Sequence, residues 1–263
     1  LSSDHNALRQ EDSIPSRVSV IILKKHRFWV IVQKYPSFSH HAMPPKFRKS
    51  AEYARVPAHA ETEVVDAYAE ILDSTGNQDL VLQGIPTLLR TLQIPSCFTK
   101  DISQCIEWFY ATQQAKLARK SANWAVAEQL LRHLTISVTI NGVLDVSDVV
   151  DLDKLVKFCN RLIKFRDNYL QIASNWGLFV EASGIKIDKT KMAEYNLTLS
   201  DLVKVKTSLQ LDDISDSILI DMLGCGRSNV DGELFNYKLS SGALEVGIKD
   251  FAEVLGLLGH YDE

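Results

Sequence analysis

The chain has 263 residues, of which 46 % are hydrophobic, and a formal net charge of −4, as is ordinary for a globular protein. This mildly acidic balance gives no footprint for direct nucleic-acid binding, and no apolar run reaches the roughly 18–20 residues that a membrane helix needs. Cys97, Cys105, Cys159 and Cys225 include no CxxC pair. We therefore expect reduced structural thiols in an intracellular protein rather than a disulfide framework.

The N-terminal region has two parts of different composition. The first methionine is Met43, and we expect the native protein to start there, with residues 1–42 as an extension that need not be native. The alternative is that residues 1–42 form a genuine β-prone or targeting segment. The segment 43–58 is short, basic and proline-containing. This composition predicts a disordered tail.

Apolar residues at helical spacing predict three helices in the next part of the chain. The first helix covers residues 61–72, and a polar loop over 73–84 separates it from a second helix over 85–93. Residues 102–110 form the start of a third predicted helix. The insertion that follows, 111–137, contains a fourth predicted helix over residues 113–134, which carries Trp124, Val126, Leu130 and Leu131.

The middle of the chain predicts one long helix over residues 153–177 that links two lobes. The N-terminal lobe covers residues 59–162 and the C-terminal lobe covers 163–263. Within the second lobe, residues 183–196 and 224–245 are polar segments, and the later one is rich in Gly, Ser and Asn. Such composition predicts surface loops between helices.

Loops in both lobes fit the twelve-residue frame of an EF-hand, in which an apolar residue holds position 8 and an acid holds position 12. In the last two loops position 8 is Leu197 and Val246, and in the second loop position 1 is Val143. The residues at position 12 of the four loops are Gly84, Lys154, Asp201 and Asp250.

The same frame argues against calcium binding at any of the four loops. Calcium sites of this kind use a bidentate Glu at position 12 and Gly at position 6, and no loop here has that Glu. In loop 73–84 position 6 is Gln78. The best remaining ligands would be Asp73, Asn77 and Asp79, but a polar loop between two helices explains them better. We therefore predict no metal site.

No catalytic constellation is evident in the sequence. Ser215, Asp216 and His260 supply the residue types of a hydrolase, but no serine has the nucleophile-elbow pattern. His133 has no cysteine or acid at metal-ligand spacing, which predicts a solvent-exposed histidine. We predict that the protein has no catalytic residue, no cofactor and no small-molecule substrate.

Three apolar stripes in the last seventy residues follow the helical period and predict a groove that holds a partner's amphipathic helix. The predicted groove residues are Leu202, Val205, Leu209, Leu219, Met222, Leu223, Phe251, Val254, Leu255 and Leu258. About half of any such face packs inside its own lobe. Each of these residues therefore has the internal core as its alternative role.

The internal repetition resembles the calmodulin and centrin arrangement. That resemblance implies an all-α, two-lobed fold made of pairs of degenerate EF-hands, with short β-links and a helical insertion in the N-terminal lobe. More specifically, four runs in order resemble the centrin-like nucleotide-excision-repair accessory proteins of yeasts. The runs are residues 148–156, 176–178, 196–202 and 250–261.

This family resemblance implies a nuclear, non-enzymatic subunit that binds the C-terminal helix of a xeroderma-pigmentosum-C-type (XPC-type) damage-recognition protein. That partner also carries a ubiquitin-like companion, and the subunit would contact DNA only indirectly. The insertion departs from the family pattern, and residues 1–42 have no counterpart in it. The alternatives are a calmodulin-like or centrin-like light chain that binds a helix of another partner and, more distantly, an enzyme with an unrecognised helical fold.

Overall fold

A computed structural model describes most of the chain after residue 51. The described residues are 21–22, 29–30, 52–112, 121–140, 143–211, 214–227, 235–239 and 244–261. Most of the predicted extension 1–42 and the predicted tail up to residue 51 lie outside this set. Residues 113–120 of the insertion and half of the loop 224–245 also lie outside it.

The described part of the chain is mostly helical, which confirms the predicted all-α class. Its helices are α1 (Ala58–Thr75), α2 (Ile85–Thr91), α3 (Ser96–Thr112), α4 (Ala122–Leu134), α5 (Leu152–Asp167), α6 (Tyr169–Ala182), α7 (Leu199–Ser208), α8 (Asp216–Arg227) and α9 (Ile248–Leu257). Its strands are β1 (Ile21–Ile22), β2 (Trp29–Val30), β3 (Thr135–Ile140), β4 (Val143–Val150), β5 (Leu197–Thr198) and β6 (Glu245–Val246). None of the described helices is both long enough and apolar enough to cross a bilayer.

The predicted helix over residues 113–134 ends where α4 ends, but the hairpin that follows it was not predicted. Helix α4 ends at Leu134, and β3 and β4 then form an antiparallel hairpin. The β-branched residues of 135–140 and the Asn-Gly sequence that follows them are typical of a hairpin. This signal was missed because Val143 and the residues after it were assigned to the second loop of the EF-hand frame.

The single helix predicted over residues 153–177 is also wrong, because the chain breaks at Asn168. This residue has φ −100° and ψ 14°, which ends α5. Its side-chain amide donates to the carbonyl of Lys164 at 2.9 Å, and so satisfies one of the free carbonyls at the helix end. After the break, α6 packs against α7 and α9.

Two short antiparallel pairings join the loops between helices. In β5 and β6, Leu197 lies opposite Val246. The twelve-residue frame places Leu80 and Val150 at position 8 of the first two loops, and an isolated antiparallel bridge joins the residues beside them, Val81 and Val149. The N–H of Val150 donates to the carbonyl of Leu80 at 2.8 Å. In both halves, therefore, the position-8 residues of neighbouring loops are paired through the backbone.

The last residues assigned to the disordered tail are packed against the helices, which corrects the boundary at residue 58. Tyr53 is buried, and its hydroxyl donates to Oε2 of Glu253 at 2.6 Å. The ammonium of Lys164 donates to the carbonyl of Tyr53 at 3.0 Å. The ring lies against Gly256 of α9, where a Cβ atom would come within 2.3 Å of it. The basic composition of residues 43–58 predicts disorder and gives no sign that Tyr53 is buried.

His133 lies where α4 meets the segment before α9, and it is partly buried rather than exposed as predicted. Its Nδ1 atom is 2.7 Å from the hydroxyl of Tyr237. Burial, followed by the positive charges of Arg161 and Lys154, lowers the pKa of His133 from 6.5 to about 4. The folded protein therefore keeps this imidazole neutral at pH values where an exposed histidine is protonated.

Gly256→Ala is expected to lower the free energy of unfolding by about 1–3 kcal/mol, because the new methyl group collides with the ring of Tyr53. Urea denaturation of the full chain measures this change. Gly177→Ala in α6 is the control, since its Cβ would meet the sulfur of Met192 at an ordinary 3.6 Å. That variant should gain about 0.5–1 kcal/mol from helix propensity. Equal effects at the two glycines would contradict the packing of Tyr53.

The free energy of unfolding is expected to fall by about 2–3 kcal/mol as the pH drops from about 6.5 to about 4 on account of His133. The folded-state pKa is depressed, so the unfolded chain binds a proton in this window and the folded chain does not. Urea denaturation at pH 7 and pH 4.5 measures the loss. His133→Gln should show a smaller difference between the two pH values, and an unchanged difference would contradict this origin.

Candidate functional site

An apolar pocket opens in the C-terminal half between α6, α7 and α9. It contains about 390 Å³ of space, part of it open to solvent. Its lining residues are Trp176, Phe179, Leu197, Leu202, Val246, Asp250, Phe251 and Val254. Its apolar, partly aromatic wall suits an apolar side chain of a partner.

Three aromatic rings form one wall of this pocket and are held in place by neighbouring groups. Trp176 and Phe179 are one turn apart on α6 and share a face. The ring of Phe251 lies 5.6 Å from that of Trp176 and 5.5 Å from that of Phe179, measured between centroids. The indole N–H of Trp176 donates to the carbonyl of Met192 at 2.9 Å. This bond satisfies the polar end of the ring and fixes its orientation.

The structure brings only some of the predicted groove residues to the pocket. Those that line it are Leu202, Phe251 and Val254. Those buried in the core outside the pocket lining are Val205, Leu219, Leu223 and Leu255. Leu209 and Leu258 are half-buried and also lie outside the lining. The side chain of Met222 lies outside the described residues.

Sequence reasoning missed the part of the wall that comes from α6 and the two short strands. Trp176 and Phe179 are spaced three apart, which is a helical-face signal, but the predicted linker helix 153–177 includes only Trp176 and ends before Phe179. Leu197 and Val246 were identified only as position-8 residues of the loop frame. Their pairing in β5 and β6 places both at the base of the pocket.

Both position-12 carboxylates of the C-terminal half are turned toward the start of their own helix. Oδ2 of Asp201 accepts from the N–H of Thr198 at 3.1 Å and from its hydroxyl at 2.7 Å. Oδ2 of Asp250 accepts from the N–H of Gly247 at 2.9 Å. Such bonds satisfy free N–H groups in the first turn and place a negative charge at the positive end of the helix dipole.

Asp250 is also neutralised by its own loop. The ammonium of Lys238 donates to Oδ2 at 2.8 Å, and the amide of Asn236 donates to Oδ1 at 2.5 Å. The side chain of Asp250 is only 3 % exposed. A buried carboxylate is strongly disfavoured unless it is paired and hydrogen-bonded, and this one is both. Its oxygens therefore have partners already, although Asp250 borders the pocket.

Lys249, the residue before Asp250, makes a buried ion pair with Asp101 of α3. This pair joins the two halves of the chain. Its ammonium lies 2.9 Å and 2.7 Å from the two carboxylate oxygens, and Asp101 also accepts from the N–H of Tyr237 at 3.0 Å. The side chains are 4 % and 8 % exposed. Burial lowers the pKa of Lys249, and the negative charge of Asp101 opposes that shift.

Metal ligands do not converge anywhere in the described part of the chain. No group of three or more His, Cys, Asp or Glu side chains there is placed to hold an ion. In the first loop, α1 continues to Thr75 and therefore includes Asp73. Gly76 then ends that helix with φ 67°, a left-handed conformation that glycine adopts without strain.

Comparison with known proteins identifies a family and a curated relative. The sequence profile of the Rad33 family matches residues 50–214. The chain is 25 % identical over 211 residues to the DNA repair protein RAD33 of Saccharomyces cerevisiae, which covers 80 % of this chain and 90 % of that protein. No solved structure matches the chain.

Asp101→Asn is expected to lower the free energy of unfolding by about 3–5 kcal/mol, because it leaves the ammonium of Lys249 buried without a counter-charge. Urea denaturation measures the loss. Asp216→Asn is the matched control, since Asp216 is 69 % exposed and lies 3.5 Å from Lys206. Removing that surface pair should cost less than about 1 kcal/mol. Losses of similar size in the two variants would contradict a structural role for the buried pair.

Proposed function

The chain belongs to the Rad33 family, and on this premise we propose that it is a non-enzymatic accessory protein of DNA repair that holds an amphipathic helix of a damage-recognition factor. The similarity to the DNA repair protein RAD33 of yeast supports the repair role. The apolar pocket of the C-terminal half supports the binding of a helix. This pocket is the observation on which the proposal mainly depends.

We further propose that the helices form degenerate EF-hands. The pairs would be α1 with α2, α3 with α5, α6 with α7, and α8 with α9, and α4 with β3 would be an insertion before the second loop. Two features support this assignment. Position-8 residues of neighbouring loops are paired through the backbone in both halves, and the position-12 acids lie in the first turn of the exit helices α7 and α9.

The pocket would take one bulky apolar side chain of the partner helix. Partner helices that lie in a groove are held by a few apolar anchors spaced three or four residues apart, and a buried aromatic anchor contributes most of the affinity. Trp176, Phe179 and Phe251 offer such an anchor a rigid wall. Because these rings are already packed, binding needs little further ordering, which favours affinity.

The proposed partner is the C-terminal helix of an XPC-type damage-recognition protein, in a complex that also holds a ubiquitin-like companion. The proposed location is the nucleus, and DNA would be reached only through the partner. Support for this choice comes from the sequence runs described above and from membership of the Rad33 family. The chain's own charge of −4 favours no direct attraction to phosphate.

A helix-binding light chain for a different partner uses the same pocket and is the second candidate. An enzyme would need titratable groups that converge on a polar pocket. Among the lining residues of this pocket, only Asp250 is ionisable, and its carboxylate is bonded to Gly247, Asn236 and Lys238. This lining favours binding over catalysis.

Calorimetric titration of the chain with a peptide from the C-terminal region of the host's XPC-type protein is expected to show tight binding that is equal in calcium and in chelator. Phe251→Ala should weaken binding by about 30-fold or more, because it removes one face of the anchor pocket. Val254→Phe, which fills the pocket instead of emptying it, should do the same. Leu170→Ala is the control, since Leu170 is 84 % exposed on α6 and outside the pocket.

Circular dichroism spectra of each variant establish that it is folded before its affinity is compared. Absence of binding in both buffers would contradict the repair assignment and leave the light-chain candidate. Binding only in calcium would contradict the assignment of degenerate loops. Equal affinities for the Phe251 and Leu170 variants would place the partner elsewhere on the surface.

A further inference from the structure

The fourth loop of the EF-hand frame, between α8 and α9, has a positively charged side chain of its own beside the position-12 carboxylate. Lys238 belongs to the segment between α8 and α9, and its ammonium lies 2.8 Å from Oδ2 of Asp250, the carboxylate at position 12. In an EF-hand that carboxylate is neutralised by the bound calcium ion. Here the positive charge is covalently attached to the chain and lies on the same carboxylate.

The residues of the four loops do not fit calcium. Position 12 is Gly84 in the first loop and Lys154 in the second, and the ammonium of Lys154 donates to the carbonyl of Thr135 at 2.7 Å. In the third loop, Oδ2 of Asp201 accepts from Thr198 and from the hydroxyl of Tyr195. A hard cation that wants six to eight oxygens would have to displace these bonds.

We propose that Lys238 is an internal substitute for a bound cation, and that it holds the start of α9 in the position that a metal ion would otherwise fix. The inference rests on the loop frame proposed above and not on the identity of the partner. It assigns to Lys238 a positioning role that the sequence frame alone does not reveal, because Lys238 is twelve residues before the carboxylate that it neutralises.

The third loop provides an internal comparison. Lys204 also lies near a position-12 carboxylate, at 3.3 Å from Oδ1 of Asp201, but its side chain is 54 % exposed. The side chain of Lys238 is 27 % exposed and its carboxylate partner is almost wholly buried. Charges that are shielded from water interact more strongly than exposed ones. Only the pair in the fourth loop has the burial that a cation substitute requires.

The position of Lys238 also links the loop to the pocket. A Cβ atom at Gly247 would lie 3.0 Å from the ammonium, so glycine there leaves room for the close approach. Asp250 is followed directly by Phe251, and one turn later by Val254, both of which line the pocket. Fixing Asp250 therefore fixes one wall of the pocket without metal.

Thermal unfolding of the full-length chain in calcium and in chelator tests the proposal. Wild type should have the same Tm in both buffers. Lys238→Ala should unfold about 3–6 °C lower in chelator, as expected for losing a partly buried ion pair in a chain of this size. Lys238→Arg keeps the charge and should stay within about 1 °C of wild type. Lys204→Ala is the matched control and should also stay within about 1 °C.

The discriminating measurement is rescue of Lys238→Ala by a cation from solution. Propylammonium chloride at about ten times its dissociation constant should raise the Tm by about 3 °C, while sodium chloride at equal ionic strength should not. The double variant Lys238→Ala/Asp250→Asn lacks the carboxylate and should show no rescue.

Three outcomes would overturn the proposal. Lys238→Ala could unfold at the wild-type temperature, which would mean that the ammonium positions nothing. It could be destabilised without any rescue by propylammonium, which would reduce Lys238 to an ordinary ion pair. A rise in the Tm of wild type with calcium would mean that a loop still takes metal. None of these results depends on peptide binding, so failure here is distinguishable from failure of the proposed partner.

Discussion

Burial of charge at the start of α9 is the constraint on which the arrangement of the chain depends. Lys249 and Asp250 are adjacent and carry opposite charges, and each is paired in a different direction, with Asp101 of α3 and with Lys238 of the preceding loop. A buried charge without its partner costs several kcal/mol. The pairs can therefore form together only when α3, α9 and the segment 235–239 are all in place. This requirement makes the two halves one folded unit rather than independent lobes.

The same requirement determines the geometry of the pocket. Helix α9 is held by charges at its first turn and by Tyr53 against Gly256 at its last turn. Between these fixed ends, Phe251 and Val254 face the aromatic pair of α6. A wall that is supported at both ends needs little rearrangement to receive a ligand, and such pre-organisation favours affinity. Stability and the proposed binding function therefore depend on the same helix.

The local features of this chain could be predicted from its sequence, and the long-range ones could not. The helical spacing of apolar residues was enough to locate most helices. The loop frame identified Leu197 and Val246, which lie opposite each other in the structure. The break at Asn168 and the buried Tyr53 were missed because composition averages over the single residue that decides each case. Asp101 pairs with Lys249, which is 148 positions away in the sequence. No local sequence pattern predicts a contact over such a separation. Of the pocket wall, sequence reasoning supplied the residues of α7 and α9 but not those of α6.

An attached ammonium differs from a bound ion in one thermodynamic respect. A bound ion stabilises the folded state by an amount that depends on its concentration, so a calcium loop can act as a sensor. A lysine has an effective concentration fixed by the chain, and its contribution does not depend on the calcium concentration. A loop held by Lys238 thus keeps α9 in one position at any calcium level. The pocket would then be available whenever the protein is folded, and its occupancy would depend on the supply of partner rather than on an ionic signal.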